Sequence, residues 1–291
     1  MKTAYIKYIV ALLLFGSNGV VAAFIALNSY EIVLLRSFFG SLMLTGIFLL
    51  SKQDRTALHY KKDLLFICLS GAAMAADWLF LFEAYAQIGV SLGMLINYSG
   101  PAIVMALSPL IFRERLTARK VTALLAALAG VFLISGGALS GGVNSWGLFC
   151  AVMSAFSYAA MVIFNKKAEH INGLENSLIQ LLSTCVVVAV FVGLRQGFAF
   201  ASGIRSAEWL PILWLGLINT GAGCYCYFSS IGKLPVHTVS ICGYLEPLSA
   251  VVMSALILHE TMLPIQLLGA AFIIGGALFG EGAKSPEKLT K

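Results

Sequence analysis

The chain has 291 residues, of which 59% are hydrophobic and only 11% charged, with a formal net charge of +6. A soluble domain carries about 25% charged residues, so a chain with a mean hydropathy of +0.91 cannot cover itself with a water-facing surface. Apolar stretches of membrane-spanning length fill it almost end to end, which excludes a soluble fold and leaves no room for a separate catalytic or regulatory domain.

Ten spans are predicted: 5–27, 31–51, 64–86, 91–112, 118–136, 146–166, 175–195, 208–229, 236–258 and 263–280. Each is close to the roughly 20 residues that a helix needs to cross about 30 Å of hydrocarbon. The first follows Lys2 and Lys7, and Val21-Ala22-Ala23 resembles a leader cleavage site. The apolar run continues to Leu27 and nine spans follow, so the segment reads as a retained first helix. Asn18 stands at its middle between Gly16 and Gly19. An amide at that depth needs partners, and glycines allow close helix approach, so Asn18 is either a site residue or a clamp between helices. The second span carries Arg36, and the third carries Asp77, Trp78 and Glu83. Arg36 and Glu83 have similar depth, which predicts a structural ion pair. The fourth span contains Asn97, Tyr98 and Pro101, the sixth Tyr158, the eighth Tyr225 and Tyr227, and the ninth Tyr244, Glu246 and Pro247. A polar tail, 282–291, closes the chain.

Charge orients these spans. With the N-terminus inside, every Lys and Arg falls in an inner segment except Arg195, Arg205 and the intramembrane Arg36. The positive-inside rule then places both termini in the cytoplasm, in a plasma or inner membrane, and requires an even number of spans. The net positive charge is thus topological and does not point to nucleic acid. All six cysteines lie within spans, where a free thiol behaves as a small hydrophobe. Cys224 and Cys226 point to different helix faces, so neither a metal nor any cofactor is expected.

The chain also repeats itself. At an offset of 146 residues Pro101 meets Pro247, Glu114 meets Glu260 and Gly130 meets Gly276; at 144, Glu31 meets Glu175; at 141, Phe15 meets Phe156. Each half holds five spans, an odd number, so the second half runs opposite to the first. The basic inner loop Arg113–Lys120 has an outer counterpart, His259–Leu263, without Lys or Arg. Inverted repeats of this kind are the signature of alternating access about a midplane site.

A Pro in the fourth helix of each half, a Glu thirteen residues later and a Gly-rich fifth helix resemble the drug/metabolite transporter superfamily, in particular its EamA-type members. The match to Pro101, Glu114 and Leu116-Thr117 is good; the second half departs at Met262-Leu263. The resemblance implies an all-α membrane fold of ten transmembrane helices, built from five-helix inverted repeats at 1–138 and 143–281. It also implies a cavity lined by helices 1, 3, 4, 6, 8 and 9, and secondary transport of small organic solutes, often export.

Pro101 and Pro247 should kink their helices and free the carbonyls of Asn97 and Gly243 toward that cavity; a static, well-packed kink is the alternative. Asp77 and Glu246 lie too deep to reach the interface, and such groups usually face a cavity or partner. They are the candidates for proton coupling or for pairing with a substrate amine, against the alternative of neutral acids that pin helices. Trp78, Tyr98, Tyr158, Tyr225 and Tyr244 offer ring faces and hydroxyls, unless they serve packing or interfacial belts. The expected substrate-binding set is therefore Asn18, Asp77, Trp78, Asn97, Tyr98, Pro101, Tyr158, Tyr225, Tyr244 and Glu246.

No GxxxxGK[ST] loop, HExxH pair or GxSxG elbow occurs, which argues against direct ATP use, zinc and hydrolase chemistry. A site with acids, one Arg and no Lys suits neutral, zwitterionic or cationic solutes better than phosphorylated ones. The expectation is an exporter of an amino acid or amine-bearing solute. A passive facilitator for small neutral metabolites, or uptake of a quaternary amine or nucleoside-like solute, is the alternative. Monomer and homodimer both remain open, with Gly136, Gly137, Gly275 and Gly276 available for packing within or between chains.

Overall fold

The computed structural model describes residues 2–22, 24–51, 56–88, 93, 96–113, 116–135, 144–198, 204–257 and 264–281. Several expectations lie outside these residues: those on Glu114, Glu260, Met262-Leu263, Gly136, Gly137 and the tail 282–291.

Among the described residues the chain is helical, with no strand. Helix α1 (Lys2–Gly16) breaks at Ser17 and resumes as α2 (Asn18–Ala22). Then come α3 (Ser29–Leu50), α4 (Lys61–Ile88), α5 (Gly100–Phe112), α6 (Ala118–Ser135), α7 (Ser145–Lys167) and α8 (Gly173–Arg195). Helix α9 (Trp209–Leu213) runs through a π-helical stretch, Trp214–Ala222, into α10 (Gly223–Ile231). The chain then forms α11 (Val236–Cys242), α12 (Leu245–Ile257) and α13 (Pro264–Glu281). Five segments, Lys2–Ala22, Ser29–Leu50, Lys61–Tyr85, Ser145–Lys167 and Gly173–Arg195, are long and apolar enough to cross a bilayer unaided. Large apolar side chains such as Leu50, Leu110, Leu194 and Leu256 point outward, as a lipid-facing surface requires.

Local sequence sets these ends. Asn28 and Glu31 form a reciprocal capping box at the start of α3. Asn144 accepts from the backbone N–H groups of Trp146 and Gly147 to open α7.

The packing is paired across the two halves. α1 lies on α10 and α12, as α7 lies on α4 and α5. α3 crosses α8, and α6 crosses α13. Individual contacts repeat as well. Asp63 Oδ2 accepts from the His170 N–H at 2.7 Å, and Glu208 Oε1 accepts from the Ala26 N–H at 3.1 Å. Those residues are related by offsets of 145 and 144, so the acid that opens the third span of each half ties down the first loop of the other. Gly130 and Gly276 occupy matching positions at the α6–α13 crossing. A Cβ on Gly276 would lie 2.8 Å from the Ala123 carbonyl oxygen, and one on Gly130 would lie 2.5 Å from that of Gly269, itself 146 residues from Ala123. Gly276 therefore serves packing within the chain, while Gly275 faces open space.

The π-helical stretch has a sequence cause in this frame. Asp63 and Glu208 differ by 145 residues, but Met74 and Thr220, further along the same two segments, differ by 146. One extra residue in the second copy is accommodated by a wider turn, the usual origin of a π-bulge.

Candidate functional site

Two helices are interrupted at repeat-related points. A turn at Tyr98-Ser99 precedes α5, and a turn at Gly243-Tyr244 separates α11 from α12. Both prolines stand in the first turn of the helix that follows, where a missing N–H costs nothing. The expectation of kinked, continuous helices is thus corrected: each helix stops and restarts. The expected free carbonyl of Gly243 accepts from the Glu246 N–H at 3.1 Å. The carbonyl that reaches across the molecule is that of Tyr98, which accepts from the Tyr244 hydroxyl at 2.9 Å. Tyr98 and Tyr244 are 146 residues apart, so this bond joins the two breaks directly. Tyr244 is fully buried in the seam with Tyr98, Met105 and Leu124.

Beside the breaks lies a buried polar group. Asn97 Nδ2 donates to Asp77 Oδ1 at 2.9 Å and to Ser154 Oγ at 2.5 Å, linking the third, fourth and sixth predicted spans. One residue on, the Trp78 ring carries the Arg36 guanidinium on its face, with Cζ 4.5 Å from the ring centre. Arg36 Nε donates to Thr220 Oγ1 at 2.9 Å, and the Thr220 hydroxyl donates to the Leu215 carbonyl inside the π-helical stretch.

Glu246 sits in the first turn of α12, where the helix dipole favours an acid. Among the described residues its carboxylate accepts no hydrogen bond from a side chain, although Arg36, Asp77, Tyr98 and Tyr158 are within electrostatic reach. The Tyr158 and Tyr227 hydroxyls meet at 3.2 Å, and a Cβ on Gly100 would press on the Tyr158 ring at 2.7 Å. Tyr8 leans on Tyr227 with ring centres 5.4 Å apart and donates to the Val239 carbonyl.

The predicted pair of Arg36 with Glu83 is not formed. Glu83 lies nearer the end of α4, where Tyr30, Trp146 Nε1 and Gln87 Nε2 donate to it. The Trp78 face and the Thr220 hydroxyl hold Arg36 deeper in the bundle, so equal depth along two helices did not mean a shared face.

The structure thus gathers Asp77, Trp78, Asn97, Tyr98, Tyr158 and Glu246 of the expected set, with Pro101 at the head of α5. It does not bring Asn18 or Tyr225 into that group. Asn18 Oδ1 accepts from Asn219 Nδ2 at 3.0 Å and so ties the α1–α2 break to the π-helical stretch. Tyr225 receives Lys7 Nζ at 3.0 Å on its hydroxyl. Ser154, Thr220 and Tyr8 were not singled out from sequence. Ser154 and Thr220 look like ordinary small polar residues in apolar helices, and only the offset linking Thr220 to Met74 marks one of them.

A family profile described as the EamA-like transporter family matches residues 2–136 and again residues 145–279. The chain belongs to the EamA-like transporter family. This EamA-like transporter is 25% identical to the Bacillus subtilis "Uncharacterized transporter YxxF" over 280 residues, 94% of this chain and 88% of that one. It is 26% identical to a Salmonella typhimurium protein named "Probable amino-acid metabolite efflux pump" over 208 residues, 68% and 69% of the two chains. A solved structure at 17% identity superposes with a TM-score of 0.81 over 96% of this chain and 98% of the other, which establishes likeness of fold. The protein is therefore a membrane transporter built on two copies of one helical unit.

Proposed function

We propose that the chain is a secondary transporter that exports an amino acid or amine-bearing solute by alternating access. In this reading ten spans form two inverted five-helix repeats, 1–138 and 143–281, in the inner or plasma membrane with both termini cytoplasmic. The observation that carries it is the pair of helix breaks at Tyr98-Ser99 and Gly243-Tyr244, set against buried Asp77, Asn97 and Arg36 and half-buried Glu246. Irregular backbone at depth is tolerated only inside protein or beside a watery cavity, and in inverted-repeat carriers it marks the binding site. The name of the Salmonella relative supports the substrate class.

Glu246 is the proposed proton carrier, because its carboxylate, unlike that of Asp77, has no hydrogen-bond donor holding it. The test is flux of radiolabelled amino acids and amines into proteoliposomes under imposed pH gradients. Saturable flux that responds to the gradient is expected in the native chain, and whatever flux Glu246→Gln retains should no longer respond to the gradient. Unsaturable flux indifferent to pH in the native chain would indicate a passive facilitator instead.

A further inference from the structure

Residues that hold this frame together recur in both copies, as Asp63 and Glu208, Gly130 and Gly276, and Tyr98 and Tyr244 do. The charged and amide groups at the centre do not. Arg36 corresponds to Gln180 at an offset of 144; Asp77, Asn97 and Glu246 correspond to Gly223, Gly243 and Gly100 at 146. The correspondence is visible in the contacts: Gln180 Nε2 meets Met74 Sδ at 3.9 Å where Arg36 meets Thr220 in the other copy. A frame that closes with glycine or glutamine at these positions in one half has no need of charge there in the other.

Two of these charges are incomplete. Buried charges in a bilayer are costly unless paired. Among the described residues the ion pairs are His170–Asp63 and Arg205–Glu208, so neither Arg36 nor Glu246 has one. Nε of Arg36 is engaged by Thr220 and the guanidinium plane is fixed on Trp78, which leaves the two Nη groups of the fork. Asp77 is already bound by Asn97. Arg36 and Glu246 are thus opposite charges within electrostatic reach of one another that form no ion pair.

We propose that Arg36 and Glu246 together bind the headgroup of a zwitterionic amino acid, with its carboxylate on the Nη groups of Arg36 and its ammonium on Glu246. The guanidinium fork matches a carboxylate in two parallel bonds. A solute with one charge completes one protein group and leaves the other bare, whereas a zwitterion completes both. The inference rests on the amino-acid transporter reading above and narrows it from amines in general to solutes that carry both charges.

The test is a thermal-shift titration of the full-length protein in detergent with a panel of L-amino acids. Each is compared with its amide, which keeps the ammonium, and its N-acetyl derivative, which keeps the carboxylate. Free amino acids should bind, and both derivatives should bind about tenfold or more weakly, the scale of one charged hydrogen-bond contact. In Arg36→Gln the preference for the acid over the amide should disappear while that over the N-acetyl form persists; Glu246→Gln should do the reverse. Should Arg36→Gln not fold, Arg36→Lys keeps the charge without the fork and should bind the acid less tightly than the native chain. Equal binding of acid and amide by the native protein would overturn the headgroup assignment and leave amine transport standing. Failure of every amino acid and amine to bind would overturn both.

Discussion

Asn97 bridges two buried acceptors, and its removal would strand both. Asn97→Ala should lower stability by about 1–3 kcal/mol, the cost of leaving a buried polar group unsatisfied. The check is the melting temperature in detergent, and an unchanged value would mean that water replaces the amide without cost. At this scale the sequence was partly legible. Depth within an apolar run identified Asp77 and Glu246, because an acid there has few reasons to exist, whereas Asn97 entered only through the carbonyl that Pro101 was expected to free. Depth did not say which way a side chain faces, which is why Arg36 was assigned to Glu83. Its actual partners, an aromatic face and a threonine hydroxyl 184 residues away, carry no charge for a sequence reading to match.

At the scale of elements, hydropathy located the helices well: Ser29–Leu50 was expected at 31–51, and Gly173–Arg195 at 175–195. The interruptions were not legible, since a proline inside an apolar run signals a kink and a restart equally. The close helix crossing gives a sharp contrast between neighbouring residues. Gly276→Val would drive a side chain into the Ala123 carbonyl of α6, and overpacking of this kind typically costs about 1–3 kcal/mol. Gly275→Val, with nothing within 4 Å of its added Cβ, should leave stability nearly unchanged. Thermal unfolding of the two variants side by side checks this, and equal loss in both would show that the α6–α13 crossing is not where Gly276 matters.

For the whole molecule, the offsets of 141 to 146 residues made the twofold plan readable before any coordinate was known. What they did not show is how thoroughly the halves interleave. Asp63 and Glu208 each anchor a backbone N–H of the opposite half, and in the inverted arrangement proposed above they lie at opposite membrane faces. Asp63→Asn should loosen one face and Glu208→Gln the other. Spin-label distances across each face should therefore shift toward opposite open forms in the two variants. A shift of the same sign in both would count against a rocking motion about the shared centre.

The contact between Arg36 and Thr220 also bears on how the protein is made. At about 5–20 residues per second, ribosomal synthesis delivers Thr220 roughly ten to forty seconds after Arg36. Trp78, only 42 positions downstream, arrives much sooner. A nascent first half would therefore shelter its guanidinium on an indole face while the helices that complete it are still being threaded through the translocon. A chain arrested before α9 would carry that charge into the lipid without its hydroxyl partner, a defect open to membrane quality control.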